Sequence, residues 1–308
     1  MKLGTDEMTD TAAPAQQGGA GAWLMAARIP TLPAAAVPVI VGTAVGASIA
    51  SFQFLPFLGA FVAAVLIQIA TNFANDYSDH AKGADTPDRL GPTRATSAGL
   101  ITPEAMKRAT IITFGLAMLI GVYLITVGGW PILAIGVFSI LFGLAYTGGP
   151  YPLAYNGLGD IAVFIFFGLV AVTGSSYLQT GSLDGLALVT AIPIGLLITA
   201  ILVINNLRDI HTDTRANKRT LAVKLGEQAT RYQYIAILII AWLFPLGMWL
   251  SGTTSPWVML SWISIPVGIV LIRMVGGGLS GRPLNLVLKR TGQLLLLYGI
   301  PLAAGLLI

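Results

Sequence analysis

The sequence predicts an all-α membrane protein with nine transmembrane helices in one bundle. Three observations carry this reading. Of the 308 residues, 55% are hydrophobic and only 10% are charged, whereas a soluble domain of this size carries about a quarter charged residues. Long apolar runs alternate with short polar stretches, as in chains that cross a hydrocarbon layer repeatedly. The 17 lysines and arginines all fall in one of the two sets of loops that nine spans create.

Residues 1–22 come first. They are small and polar, with Asp6, Glu7, Asp10 and the run Gln16-Gln17-Gly18-Gly19, a composition expected of a disordered tail. No basic segment leads directly into a short apolar core with a cleavage site, so a signal peptide is not expected. Residues 23–308 then form one transmembrane domain. Its expected spans are Thr31–Ala50, Pro56–Ala74, Ala109–Val127, Pro131–Tyr146, Ile161–Leu178, Leu186–Ile204, Ile235–Leu250, Trp257–Ile272 and Leu294–Ile308. Several contain Gly or Pro, which a membrane bundle tolerates where neighbouring helices satisfy the freed backbone groups.

The basic residues test the count. The tail and the loops after the second, fourth, sixth and eighth spans share one side, which holds all 17 bases. Gaining or losing one span midway would scramble this segregation. The positive-inside rule places that side and the N-terminus in the cytoplasm, and the C-terminus outside. Of the 13 acidic residues only Asp184 lies on the outer side. That rule concerns Lys and Arg, so gathering the acids beside them is a separate signal, the one a polar active site would leave.

Composition also restricts the chemistry. There is no cysteine, which excludes disulfides and thiolate metal ligands. Two histidines, His80 and His211, are too few for a histidine cage. A metal here needs oxygen ligands, which favours magnesium.

Two related motifs stand at the cytoplasmic ends of apolar helices. The first has Asn72, Asp76 and Asp79 at i, i+4 and i+7; the second has Asn205, Asp209 and Asp213 at i, i+4 and i+8. Each set falls on roughly one helix face. Carboxylates stacked in this way repel one another unless a cation lies between them. Two such faces opposed across a cavity would form an oxygen cage, and magnesium combines a few carboxylates with phosphate oxygens. The interspersed Arg89, Arg94, Arg208 and Lys218 suit the remaining phosphate charge. The site expected is therefore a diphosphate held beside an apolar bundle. Asn75 and Asn206 fit either ligands or helix C-terminal residues.

These residues resemble the two aspartate-rich motifs of the UbiA-type intramembrane prenyltransferases, and in particular the bacterial dihydroxynaphthoate prenyltransferases of menaquinone synthesis. The similar stretches are Arg28-Ile-Pro-Thr-Leu-Pro33, Asn72-x2-Asn-Asp-Tyr-x-Asp79, Gly83-x-Asp-Thr-x2-Arg-x-Gly-Pro-x-Arg94, Tyr146-Thr-Gly-Gly149, Gly157-x-Gly-Asp-Ile161 with Phe166-Phe-Gly168, and Asn205-Asn-Leu-Arg-Asp209 with Thr220-Leu-Ala-Val-x-Leu-Gly226. They cover the chain from Arg28 to Gly226; the last three spans match only in hydropathy. Arg28-Ile-Pro departs from the Arg-Pro common at that point.

The resemblance implies nine helices around a cavity open to lipid, capped by cytoplasmic loops, in the cell inner (plasma) membrane. It implies Mg2+ as cofactor, with Asn72, Asp76, Asp79, Asp85, Asn205, Asp209 and Asp213 as metal residues. The catalytic set is Asp76, Asp79, Asp209, Asp213 and Tyr146. The substrate-binding set is Arg28, Asn75, Lys82, Arg89, Arg94, Asn206, Arg208 and Lys218. Tyr146 matches a family tyrosine whose ring can face a carbocation; its alternative is an interfacial belt tyrosine. The expected partners are polyprenyl diphosphate, 1,4-dihydroxy-2-naphthoate and membrane lipid, with no nucleic acid. The implied reaction transfers the prenyl group with loss of diphosphate and CO2. The alternatives are another aromatic acceptor, such as 4-hydroxybenzoate or homogentisate, or a secondary transporter. Transporter sites lie near mid-bilayer, whereas these acids stand at helix ends.

Overall fold

The computed structural model describes residues 18–81 and 90–308. Among them there is no strand; every regular element is helical. Helix α1 (Ala20–Ala27) ends at Arg28, whose φ of 53° lies in the left-handed region. A turn at Ile29–Thr31 follows, and the chain bends by 50° into α2 (Pro33–Ile49). This corrects the expected tail, because Ala20–Ala22 are helical and Ala22 is buried. The short apolar helix docks on α3 (Phe54–Ala81), where Trp23 meets Phe73 edge-on at 5.6 Å.

Helix α4 (Pro103–Thr147) runs 45 residues and breaks at Gly129, with φ 67° and ψ −155°, just before Pro131. An L side chain rarely adopts that φ, so the Gly-Gly-Trp-Pro stretch sets the bend. Two helical arms thus meet at this kink, one on each side of Gly129. Next come α5 (Gly159–Val163), a π-helical stretch (Phe164–Val170) and α6 (Ala171–Thr180), which continue one another as Gly159–Thr180. Helix α7 (Gly185–Arg215) follows, then α8 (Leu221–Leu225), α9 (Glu227–Leu250), a 3-10 stretch (Pro256–Ser264) leading into α10 (Ile265–Gly276), and α11 (Leu284–Leu306).

Helix α7 is central: 67% of its most apolar stretch is buried, against 17% for α3. It packs against α2, α6, α9 and α11, while α3 pairs with α4. Small residues permit the close approaches, as is usual between helices in lipid. A Cβ on Gly46 would stand 2.6 Å from Gln179 Cβ, and one on Gly195 would stand 3.0 Å from the Gly168 Cα. Several large buried polar side chains in the core are paired, as burial favours: Tyr298 donates to the Ala241 carbonyl at 2.7 Å and Trp242 to Ser264 at 3.0 Å. Large apolar side chains such as Leu119, Phe138 and Leu243 are exposed.

Six of the described helices are long and apolar enough to cross a membrane, and a seventh qualifies if α1 and α2 are taken as one bent span. The chain is thus a multi-pass membrane protein. Helix α4 counts once here despite its break. Both motifs lie inside helices rather than in the loops after them, because α3 and α7 continue through Asp79 and Asp213.

Candidate active site

The last turns of α3 and α7, the loop 148–158 and the turn at 95–99 meet at one end of the bundle. In α3, Asn72, Asn75, Asp76 and Asp79 are all buried. Asn72 donates to the Ala27 carbonyl at 2.9 Å and to Thr31 Oγ1 at 3.1 Å. Asn75 accepts from Thr147 at 2.5 Å. Asp76 accepts the backbone N–H groups of Ala95 and Thr96, both at 3.1 Å. Asp79 accepts from the Arg94 guanidinium and from Tyr155 Oη at 3.1 Å. The left-handed turn at Arg28, an uncommon conformation for a non-glycine residue, places that arginine on the cavity wall beside Thr31.

In α7, Arg208 organises the second motif. Its guanidinium grips Asp209 through Nε at 2.8 Å and Nη2 at 2.5 Å, and donates to Asn205 Oδ1 at 2.9 Å. It also donates to Asn285 of α11 at 2.8 Å, and Asn285 in turn bonds the Leu90 carbonyl at 2.9 Å. A Cβ on Gly91 would stand 2.9 Å from Arg208 Nη2, so glycine leaves room for this approach. Asn217, with φ 54°, turns the chain back so that the Lys218 N–H bonds the Asp213 carbonyl at 2.9 Å. Lys218 Nζ then lies 3.9 Å from Asp213 and 4.5 Å above the Tyr155 ring. A chain of contacts thus joins the motifs: Asp213 to Lys218, Lys218 to Tyr155, Tyr155 to Asp79.

Beneath this polar cap is a cavity of about 280 Å3 whose wall includes Arg28, Gln68, Asn72, Asn75, Tyr146 and Asn205. Its aromatic side is continuous: Phe142 stacks on Phe166 at 4.3 Å and meets Tyr146 at 5.8 Å. An apolar cavity of about 370 Å3 adjoins it, sharing Ala64, Ile67, Ser139, Phe166 and Ala171. The second cavity reaches the two arms of α4, where Met118, Val122, Leu133 and Val137 are exposed.

A chamber with Arg28 and the amides of Gln68, Asn72, Asn75 and Asn205 on its wall, adjoining a more apolar one, suits a long apolar molecule with an anionic head. The UbiA prenyltransferase family model matches residues 35–276. The chain belongs to the UbiA prenyltransferase family. Proteins similar to it include the 1,4-dihydroxy-2-naphthoate octaprenyltransferase of Mycobacterium tuberculosis, 38% identical over 92% of this chain and 96% of that one. The Escherichia coli protein of the same name is 40% identical over 92% and 94%, and that of Bacillus subtilis 32% identical over 90% and 89%. A solved UbiA homolog from Archaeoglobus fulgidus, bound to GPP and Mg2+, aligns with TM-score 0.66 at 15% identity over 93% of this chain and 99% of its own. A second, from Aeropyrum pernix, aligns at 0.67 and 14% identity over 90% and 96%. These two show a shared UbiA fold.

The expected residues divide accordingly. Arg28, Asn72, Asn75, Tyr146 and Asn205 line the cavity. The expected cage of opposed aspartates is not formed: no group of three acidic or histidine side chains among the described residues is placed to hold a metal. Arginines and backbone N–H groups hold the carboxylates instead, as buried charge must be balanced. Asn206 approaches Asp160 Oδ1 at 3.5 Å. Lys82, Asp85 and Arg89 lie outside the described residues. Tyr155 and Asn285 were missed; both reach the motifs through long-range contacts that spacing along one helix does not reveal.

Proposed function

We propose that this prenyltransferase transfers a polyprenyl group from polyprenyl diphosphate to 1,4-dihydroxy-2-naphthoate, with loss of diphosphate and CO2, giving demethylmenaquinol in menaquinone synthesis. The observation that carries the acceptor is the similarity over nine-tenths of the chain to relatives named for it in three distant bacteria. The cavities support the donor: a chamber with Arg28 and four amide side chains on its wall, adjoining a more apolar one, fits a lipid diphosphate.

The donor set fits magnesium. Asn72, Asp76, Asp79, Asn205, Asp209 and Asp213 offer only oxygen ligands, with two amide-bearing residues already on the cavity wall, and Asp85 is a further candidate. Bound there, Mg2+ would neutralise the diphosphate as it leaves. The protein's own groups do the rest. Arg28, Arg94, Arg208 and Lys218 carry charge suited to phosphate oxygens, and Lys82 and Arg89 join them in this reading. Tyr146, Phe142 and Phe166 present ring faces to the electron-poor allylic carbon. The apolar wall excludes water, which would quench that carbon, and holds the acceptor ring close enough to attack it.

The same reading gives nine crossings, counting the two arms of α4 separately and adding α2 and α11 to the long apolar helices. The bases then lie on the cytoplasmic side of the plasma membrane, with the active site and N-terminus there and the C-terminus outside. Expression in a bacterium deleted for its own dihydroxynaphthoate prenyltransferase tests the function. Menaquinone returns if the reading holds. Its absence, with the protein present in the membrane, contradicts it.

A further inference from the structure

Asn285 stands in the first turn of α11 and joins two stretches of chain far from it in sequence. Its Nδ2 donates to the Leu90 carbonyl at 2.9 Å, and its Oδ1 accepts from Arg208 Nη1 at 2.8 Å. The first bond fixes which way the amide faces. Turned over, it would set an oxygen against the Leu90 carbonyl and N–H groups against the guanidinium. Leu288, one turn further along α11, lines the same cavity as Asn205.

Arg208 is 3% exposed and bonds through all three guanidinium nitrogens. Two of its partners, Asn205 and Asp209, lie on its own helix. Both belong to the donor set proposed for magnesium, and a donor that turns to a metal gives up the arginine. Asn285 is the one partner on another element among the described residues. When Asn205 and Asp209 turn, its bond still holds the guanidinium. Its oxygen is also uncharged. It orients the planar fork without neutralising it, which leaves the positive charge for phosphate oxygens. A carboxylate at this position would hold the arginine as well and cancel that charge. The backbone at Gly91 narrows the freedom of the guanidinium further, since a Cβ there would stand 3.1 Å from Arg208 Cζ.

We propose that Asn285 is a positioning residue for the prenyl diphosphate: it keeps Arg208 at the second motif while Asn205 and Asp209 take the magnesium, so that the guanidinium meets the diphosphate as an oriented, uncancelled charge. The proposal rests on the reading that this motif holds magnesium and diphosphate. Weakening an interaction made in both the bound and the reacting state raises KM more than it lowers kcat. The loss should therefore show chiefly as KM for the prenyl diphosphate.

The test uses purified full-length enzyme with magnesium, a polyprenyl diphosphate and the naphthoate acceptor. Calorimetric binding of inorganic diphosphate with magnesium is the second readout. Asn285→Leu removes both bonds at similar size. It should raise KM for the prenyl diphosphate and Kd for inorganic diphosphate about tenfold, with the acceptor KM near wild type. Asn285→Asp keeps an acceptor for Arg208 and adds negative charge. It should raise both constants at least as much, with a smaller fall in thermal midpoint than Asn285→Leu. An amide that merely braces the fold predicts the reverse, with the diphosphate constants of Asn285→Asp nearer wild type than those of Asn285→Leu. Adding Asn285→Leu to Arg208→Met should raise the constants no further, because Asn285 acts through Arg208. Wild-type diphosphate constants in Asn285→Leu overturn the proposal, as does a further large rise in the double variant. Should Asn285→Leu fail to fold, wild-type constants in Asn285→Asp overturn it. Wild-type constants in Arg208→Met fault the role given to Arg208, and the proposal with it. No product from the wild-type enzyme would instead fault the reading of the acceptor, and diphosphate binding would still test Asn285.

Discussion

The two motifs carry nearly the same residues at nearly the same spacing, yet the fold houses them differently. In the first, the partners come from far along the chain. Asp76 caps the turn at Ala95 and Thr96, and Asp79 is held by Arg94 and by Tyr155. In the second, the partners are local: Arg208 holds the adjacent Asp209, and Lys218 faces Asp213 five residues back. Exposure follows the same division. The Asp79 side chain is 6% exposed, whereas that of Asp209 is 20% exposed. A carboxylate tied into another element is fixed by the fold. One tied to its neighbour can exchange that partner for a ligand with little rearrangement. The first motif therefore doubles as scaffold, and the second is the more readily re-paired half of the site.

Asp76→Ala should break this contrast most severely. It removes a site carboxylate and strands two buried backbone N–H groups, each costing about 1–3 kcal/mol. Turnover should fall at least about 100-fold, as it should when a chelator removes magnesium, and the thermal midpoint in detergent should drop with it. Near-wild-type product formation at saturating magnesium would contradict the role given to this residue.

Asp209→Ala should cost turnover on the same scale, but with a much smaller fall in thermal midpoint, because Arg208 keeps its bonds to Asn205 and Asn285. Equal thermal losses in the two variants would erase the distinction between scaffold and exchangeable half.

Tyr155→Phe is the mildest change. It removes one hydroxyl bond to Asp79 and keeps the ring beneath Lys218. A loss of about 0.5–1.5 kcal/mol is expected, read as a several-fold rise in KM for the prenyl diphosphate. A change in neither KM nor kcat would show that the link between the motifs is dispensable.

The sequence made the helices legible because their apolar runs are long and their bases segregate. It made the motifs legible because period 3.6 puts Asn72 with Asp76 and Asn205 with Asp209 on common faces. Asn72, Asn205 and Tyr146 do reach one cavity. The carboxylate pairing was not legible. Repulsion among acids predicts a counter-charge, but spacing does not say whether a metal or an arginine supplies it. Helix α1 escaped notice because its small residues resemble a tail, and its contacts, Trp23 on Phe73 and the Ala27 carbonyl with Asn72, are long-range. Tyr155 and Asp160 come from a loop and a helix start without periodic signal, so only the folded chain shows what they touch.

The central claim, decarboxylating prenylation of dihydroxynaphthoate, is tested most directly by weighing products. Purified protein would receive magnesium, a polyprenyl diphosphate and both dihydroxynaphthoate and 4-hydroxybenzoate. The account predicts a prenylated naphthalenediol that has lost the acceptor's carboxylate. A prenylated hydroxybenzoate with its carboxylate intact, and no naphthoate product, would contradict it.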